Sequence, residues 1–193
     1  MCARFGLIVS PHQFQFLFGT ELQSDLARDD LRPTDQAEII TTLGSAVPMR
    51  WGLIPYWADD PKVGVRAFNA RSETVTEKPT FREPFKRSRC LVPASHFFEW
   101  SDKQKIKITV QGQPLIAFAG LYDQWNGINS FTIITTEAQG RMAEIHDRMP
   151  LILPQERFED WLIGPSPESL LHPIVHPFEF DPEPSGPQQA NLF

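Results

Sequence analysis

Cys2, Asn69, Glu99 and His146 are the residues of this sequence whose types and settings point to chemistry. Cys2 follows the initiator Met1, and loss of Met1 would leave it with two nucleophiles on adjacent carbons, an α-amine and a thiol. Their ordinary pKa values, about 7.7–8.0 and about 8.5, keep a fraction of each in reactive form near neutral pH. A 1,2-aminothiol does what no internal cysteine can. The amine condenses with an aldehyde to an imine, and the thiol closes onto the imine carbon as a thiazolidine ring. The plainer alternative is that Cys2 belongs to a frayed terminus. Glu99 stands between aromatic residues in Phe97-Phe98-Glu99-Trp100, where burial would raise its pKa and suit it to proton transfer. His146 brings an imidazole, a side chain able to act as general acid or base. Asn69 lies in Phe68–Thr74, a run too polar for a plain core element.

The elements that must position these groups can be read in order. Residues 5–9 form a short apolar strand that would anchor the N-terminus. Ser10-Pro11 reads as a helix cap, with a helix running to about Ala27 and burying Phe14, Leu17, Phe18, Leu22 and Leu26. Residues 28–36 read as a loop, followed by strands at Ala37–Leu43 and Ala46–Leu53 and a second loop from Pro55 to Arg66. Cys90–Pro93 reads as a strand leading into Ser95–Trp100. Further strands are expected at Ile106–Gln111, Leu115–Asp123 and Ser130–Thr136, a short helix over Glu137–Glu144, a strand at Leu151–Leu153 and a last helix from Pro154 carrying Phe158, Trp161 and Leu162.

A chain of 193 residues, 41% hydrophobic and 22% charged, is most naturally one globular domain. It has no long apolar run for a transmembrane helix and no signal-peptide pattern, so a cytoplasmic protein without membrane contact is expected. Cys2 and Cys90 form no CxxC pair, and neither a metal, a cofactor nor a disulfide is expected. The net charge of −6 argues against a generic nucleic-acid coat. The charge is polarised, however. Between Lys62 and Arg89 there are eight Lys or Arg against three Glu, a local net of +5. That segment is either a solvated helix face or an anion-binding groove.

Seven blocks occur in one order: Cys2-x-Arg4-Phe5, Arg32-Pro33-Thr34, Arg50-Trp51-Gly52-Leu53-Ile54-Pro55-x-Trp57, Asn69-Ala70-Arg71-Ser72-Glu73-Thr74, Arg89–Ala94, Phe98-Glu99-Trp100 and Ile145–Pro150. Together they closely resemble the SRAP family, the SOS-response-associated peptidases, over roughly residues 2–153 with a weaker trace to about 178. The resemblance implies an α+β fold, a single compact domain on a curved, mainly antiparallel, barrel-like β-sheet with flanking helices. It also implies covalent capture of abasic sites in single-stranded DNA through the processed cysteine. Cys2 would supply amine and thiol, Asn69 would orient the reacting carbon, Glu99 would shuttle protons and help remove Met1, and His146 would act on the sugar ring oxygen and on crosslink reversal. Strand cleavage by β-elimination is a side path open to the imine. Arg4 and Arg71 match positions that grip phosphates, Thr135 and Trp100 would line the same path, and Pro33 and Trp57 would wedge against bases; Trp57 read from its neighbours alone fits the core equally well. Two other function classes stay open: a cysteine peptidase built on Cys2, His146 and Asn69, and a non-enzymatic single-strand or clamp adaptor.

The chain departs from the family pattern at two places. Ala3 replaces the usual glycine, and Ala takes positive φ less freely. Ser95-His96 replaces the usual Asp-Gly, and His96 is read as a surface substitution. The SRAP-like domain is expected over 1–178 and a Pro-rich flexible tail over 179–193; residues 164–187 hold seven of the eighteen prolines. The tail ends in Gln189-Ala190-Asn191-Leu192-Phe193, which fits the Gln-x-x-Leu-Phe pattern of bacterial sliding-clamp peptides through Gln189, Leu192 and Phe193. A monomer is expected.

Overall fold

The structure, a computed structural model, describes residues 2–22, 28–42 and 44–183. In chain order the strands and helices are β1 (Phe5–Leu7), α1 (Pro11–Phe18), β2 (Arg28–Leu31), β3 (Gln36–Ile40), β4 (Ala46–Trp51), β5 (Asn69–Arg71), α2 (Pro79–Arg87), β6 (Arg89–Ala94), β7 (His96–Ser101), β8 (Gln104–Val110), β9 (Ile116–Trp125), β10 (Ile128–Glu137), β11 (Arg148–Pro150), β12 (Ile152–Leu153), α3 (Phe158–Ile163) and β13 (Phe178–Pro182). Short 3-10 turns fill Pro61–Arg66, Gly140–Glu144, Gln155–Arg157 and Pro167–Leu170. Among the described residues no helix is long and apolar enough to cross a membrane.

Five strands close on themselves. β10 pairs with β4, β4 with β3, β3 with β6, β6 with β9, and β9 returns to β10, so the expected curved sheet is a barrel. Only the pairings of β10 with β4 and with β5 are parallel; the rest of this sheet is antiparallel. A second, five-stranded sheet has the order β13-β8-β7-β1-β2.

Alternation along the strands divides the apolar residues between two cores. Ala37 and Ile39, Met49 and Trp51, Cys90 and Val92, Phe118, and Phe131 and Ile133 form one, together with Phe5, Phe97 and Ile108 of the second sheet. Phe5 stands edge-on to both Trp51 and Phe118, at 5.0 and 5.9 Å. The intervening residues Ile40, Leu91, Ala117, Ala119 and Leu121 form the other core with Phe14, Phe81, Phe85 and Trp161 from the three helices.

Several elements differ from the expectation. The first helix stops at Phe18 because Gly19 takes a left-handed conformation (φ 68°) and its N–H closes onto the Gln15 carbonyl at 2.9 Å. Its start is as expected, with Ser10 and Gln13 forming a reciprocal capping box. Leu26 and Leu43 lie outside the described residues. The stretch 28–36 is not all loop, since Arg28–Leu31 pairs with β1. Its pattern of charges hid it, because only Leu31 of the four is buried. The helix expected over 137–144 is a 3-10 turn, and β10 extends to Glu137 because β11 pairs with its end. The tail boundary expected at 179 falls inside β13, which pairs with β8 from Phe178↔Val110 to Pro182↔Ile106.

The basic segment is not one groove. Lys86 and Arg87 pair with Glu83 on the solvent face of α2, at 3.3 and 3.7 Å. Arg89 is buried and its guanidinium donates to the carbonyls of Phe85 (2.9 Å), Lys86 (3.2 Å), Trp161, Leu162 (3.4 Å) and Gly164 (3.1 Å). One cation thus closes the C-terminal ends of α2 and α3, satisfying carbonyls that a helix end leaves open and complementing two dipoles. Arg89→Met should lower the unfolding free energy by about 3 kcal/mol, since several buried acceptors lose their donor. Denaturant titration checks this, and the change should exceed that of Arg87→Met on the same helix.

Candidate nucleic-acid site

The N-terminus is not frayed. β1 pairs with β7 through Phe5↔Phe97 and Gly6↔His96, and the Phe98 N–H donates to the Arg4 carbonyl at 2.9 Å. This register carries the chain back along β7 toward Glu99, leaving Cys2 fully buried. Asn69 reaches the same point from β5, whose parallel pairing Ile133↔Asn69 hangs it on β10. Its Nδ2 donates to the Cys2 carbonyl at 2.8 Å. Its Oδ1 is buried with no hydrogen-bond partner among the described residues. One end of the amide therefore holds the Cys2 backbone, and the other offers an acceptor beside it.

Glu99 is buried on β7 and its carboxyl pKa is raised, chiefly by desolvation, with the charge of His146 working the other way. Burial likewise pushes the Cys2 thiol well up, and the nearby Glu99 carboxylate adds to the effect. The Glu99 carboxylate thus acts on the Cys2 thiol and feels the charge of His146, and Asn69 touches Cys2. The structure brings together all four residues that the sequence singles out for chemistry. His146 follows the 3-10 turn after β10. Its Nδ1 lies 2.9 Å from the Arg148 N–H and 2.7 Å from Asp147 Oδ1. Nδ1 bears either a lone pair for the first or a proton for the second, so the imidazole has a partner in both protonation states.

Behind the site, Arg148 joins two of the sequence blocks. It holds Glu73 through two bonds at 2.6 and 3.0 Å and donates to the Thr135 carbonyl at 2.6 Å. Arg148 keeps the Glu73 carboxyl below its ordinary pKa. This pair escaped sequence reasoning. The only available signal was a Glu and an Arg inside two blocks already marked for other residues.

The expected DNA contacts fall at different depths. Trp57 is 49% exposed and Trp100 40% exposed, so Trp57 is not a core residue. Arg71 is exposed at the end of β5, and Pro33 is half-buried in the turn Arg32–Asp35, beside Thr34 at φ 87°. Thr135 is different. It is 1% exposed, and its hydroxyl lies under Ala70, 3.5 Å from the Ala70 carbonyl, so its side chain does not line a surface path. Arg4 is held by two bonds to the Asp30 carboxylate, and its guanidinium lies 5.9 Å from the centre of the Trp100 ring.

The two departures resolve differently. Ala3 is not among the non-glycine residues with positive φ, so its backbone needs no glycine. His96 is not a surface substitution: it is 2% exposed. Its Nε2 donates to the Asp29 carbonyl at 2.9 Å and its Nδ1 lies 2.9 Å from Ser95 Oγ, which fixes the neutral ring between β7 and β2. Burial lowers its pKa. The ring fills the space over Gly6, where a Cβ would come within 2.3 Å of it. Among the described residues no group of three or more His, Cys, Asp or Glu is placed to hold a metal. Gln189, Leu192 and Phe193 lie outside the described residues.

Comparison with known proteins bears on the family and the fold. The family model for the SOS response associated peptidase (SRAP) matches residues 1–183. The abasic site processing protein YoqW of Bacillus subtilis is 43% identical over 144 residues, covering 69% of this chain and 64% of that protein. The abasic site processing protein HMCES of Xenopus tropicalis is 37% identical over 164 residues, 68% of this chain and 49% of that protein. The matches therefore span less than two thirds of these relatives. A crystal structure of a Bacteroides thetaiotaomicron protein superimposes with a TM-score of 0.87 at 29% identity, covering 94% of this chain and 91% of that one. With its family match, its relatives and its fold in agreement, this chain belongs to the SOS response associated peptidase (SRAP) family.

Proposed function

We propose that this protein senses and shields abasic sites in single-stranded DNA, by forming a thiazolidine crosslink through Cys2 once Met1 has been removed. The observation that carries the reading is the convergence of Asn69, Glu99 and His146 on one cysteine at the start of the chain. The names of the relatives point to the same lesion.

An abasic sugar in its open form presents an aldehyde. The Cys2 amine adds to it, and loss of one water leaves an imine. The thiol then adds to the imine carbon, a C–S bond forms, and the thiol proton ends on the ring nitrogen. Asn69 holds the backbone beside the amine, a positioning role. Glu99, with its raised pKa, is suited to accept a proton near neutral pH and return it. It is also the group we assign to Met1 removal. His146 protonates the sugar ring oxygen during opening and serves the reverse reaction. The imine acidifies the adjacent sugar carbon, so β-elimination competes until ring closure consumes it. Arg4, Arg71, Trp57, Trp100 and Pro33 hold the flanking strand by phosphate contacts and stacking, without base readout. A cysteine peptidase is less well supported, because its acyl-transfer chemistry needs no free α-amine beside the thiol, whereas imine chemistry does. The reading carries with it a cytoplasmic, nucleoid-associated location. It also takes in a sliding-clamp contact by the C-terminal Gln189, Leu192 and Phe193, which fails if truncation at 188 leaves clamp binding unchanged in a pull-down.

Incubation with single-stranded DNA bearing an abasic site should give an adduct stable on a denaturing gel. Cys2→Ala should lose it, and so should a protein whose N-terminal amine is blocked while the thiol remains. A stable adduct surviving in the blocked protein would sink the thiazolidine.

The pH dependence follows from the shifts. The amine must be neutral to attack, which sets one rise in rate, the higher of two, as the α-amine loses its proton. Glu99 must be ionised to accept the thiol proton, which sets a second, lower rise, displaced upward from the ordinary carboxylate range by burial. In Glu99→Gln the lower rise should vanish and the maximal rate should fall by about 10²-fold. Single-turnover gel assays between pH 4 and pH 9, about the range of these groups, check it.

A further inference from the structure

One ion-pair cluster on the five-stranded sheet enters the reading above only through Arg4 and Trp100. Trp100 of β7 lies directly across from Lys105 of β8, so both side chains stand on the same face of the sheet. Lys105 Nζ lies 3.6 Å from the centre of the Phe98 ring and 3.2 Å from Asp30 Oδ2. Asp30 on β2 is also the partner of Arg4. On the other side Lys105 Nζ lies 3.0 Å from Glu183, whose N–H donates to the Lys105 carbonyl at 2.9 Å just past the end of β13. The arrangement is two cations over two aromatic rings, both capped by carboxylates. None of the four charged side chains is fully buried.

We propose that Arg4 and Lys105 form a two-cation cradle for consecutive phosphodiesters of single-stranded DNA, held closed in the free protein by the carboxylates of Asp30 and Glu183. The proposal rests on the DNA reading above and extends it to Lys105, Asp30 and Glu183. A carboxylate and a phosphate offer a guanidinium the same forked pair of acceptors, so one can replace the other on Arg4 without moving it. The buried Phe98 ring supplies a face on which Lys105 rests, and the exposed Trp100 ring supplies one beside which a base can stack. Two positive and two negative charges cancel, so the free protein presents no net positive field at this point. Asp30 remains ionised at neutral pH, because the bonds from Arg4 hold its carboxyl below its ordinary range. DNA must displace the carboxylates, and only a strand already held by stacking and by Arg71 does so readily. Loose anions are thereby refused.

The test is fluorescence anisotropy with a labelled single-stranded oligonucleotide that contains no abasic site, over a range of salt concentrations. Lys105→Gln should weaken binding about fivefold at 0.1 M salt and lower the slope of log K against log salt by about 0.7, the loss of one phosphate contact. Lys105→Arg should keep the slope. Asp30→Asn and, independently, Glu183→Gln should tighten binding, since each removes a competitor; Glu183 stands at the end of an edge strand, where the fold tolerates the change. If Lys105→Gln matches the wild type in affinity and slope while Arg71→Ala weakens binding, the cluster is only a ladder joining strands and the cradle is wrong, with the DNA reading intact. If both carboxylate variants weaken binding, the carboxylates position the cations rather than compete, which also overturns the proposal. If the wild type neither binds this strand nor forms an adduct with an abasic one, the DNA reading itself falls.

Discussion

The antiparallel seam between β1 and β7 is the constraint on which the rest depends. A chain terminus ordinarily frays, because its last residues have too few contacts to offset their lost entropy. Here Phe5 is completely buried among Trp51, Phe118 and Phe97, which is worth about 2–3 kcal/mol for the side chain alone. That burial, with the ladder to Phe97 and His96, fixes where Cys2 can be. His96 and Gly6 reinforce it, since the ring occupies the space a larger residue would need and ties β7 to β2. Two buried neighbours of the N-terminus thus act as its clamp.

The second half of the site is hung on β10. This strand closes the barrel with β9 on one side and β4 on the other, and then continues past both. The overhang takes β5 in parallel and β11 in antiparallel pairing, which places Asn69 and the segment after His146 on opposite edges of one strand. Arg148 crosses between those edges to Glu73 and the Thr135 carbonyl. The reactive groups come from separate parts of the chain, Asn69 from a strand hung on the barrel and Glu99 from the second sheet. Preorganisation of this kind lets a small domain position a reaction without a deep cavity.

Much of this was legible in the sequence. The types and contexts of Cys2, Asn69, Glu99 and His146 were enough to mark them, and alternating strands such as Ile106–Gln111 revealed the sheet. What escaped detection was long-range pairing. Arg28–Leu31 reads as loop because three of its four residues are polar, and only the edge position beside β1 makes it a strand. The resemblance implied that Thr135 lines the DNA path, whereas its hydroxyl is buried beneath β5. The net +5 of residues 62–89 left a solvated helix face and an anion-binding groove both open; the structure leaves Lys86 and Arg87 on the solvent face of α2 and sends Arg89 inward to two helix ends. His96 was misplaced for a related reason: a histidine exposes no sign in sequence that its ring replaces missing volume.

The buried thiol of Cys2 has a consequence for the lifetime of the molecule. Oxidants and alkylating agents attack the thiolate, and attack scales with ionisation and access. Cys2 is poor in both, and Cys90 on the barrel shares the same protection. A protein proposed to capture a lesion through one sulfur must keep that sulfur intact until the lesion arrives. DNA damage and peroxide often arrive together. A sulfur stored dry and protonated survives the second to meet the first, so the burial that makes Cys2 look unreactive is what preserves its shelf life.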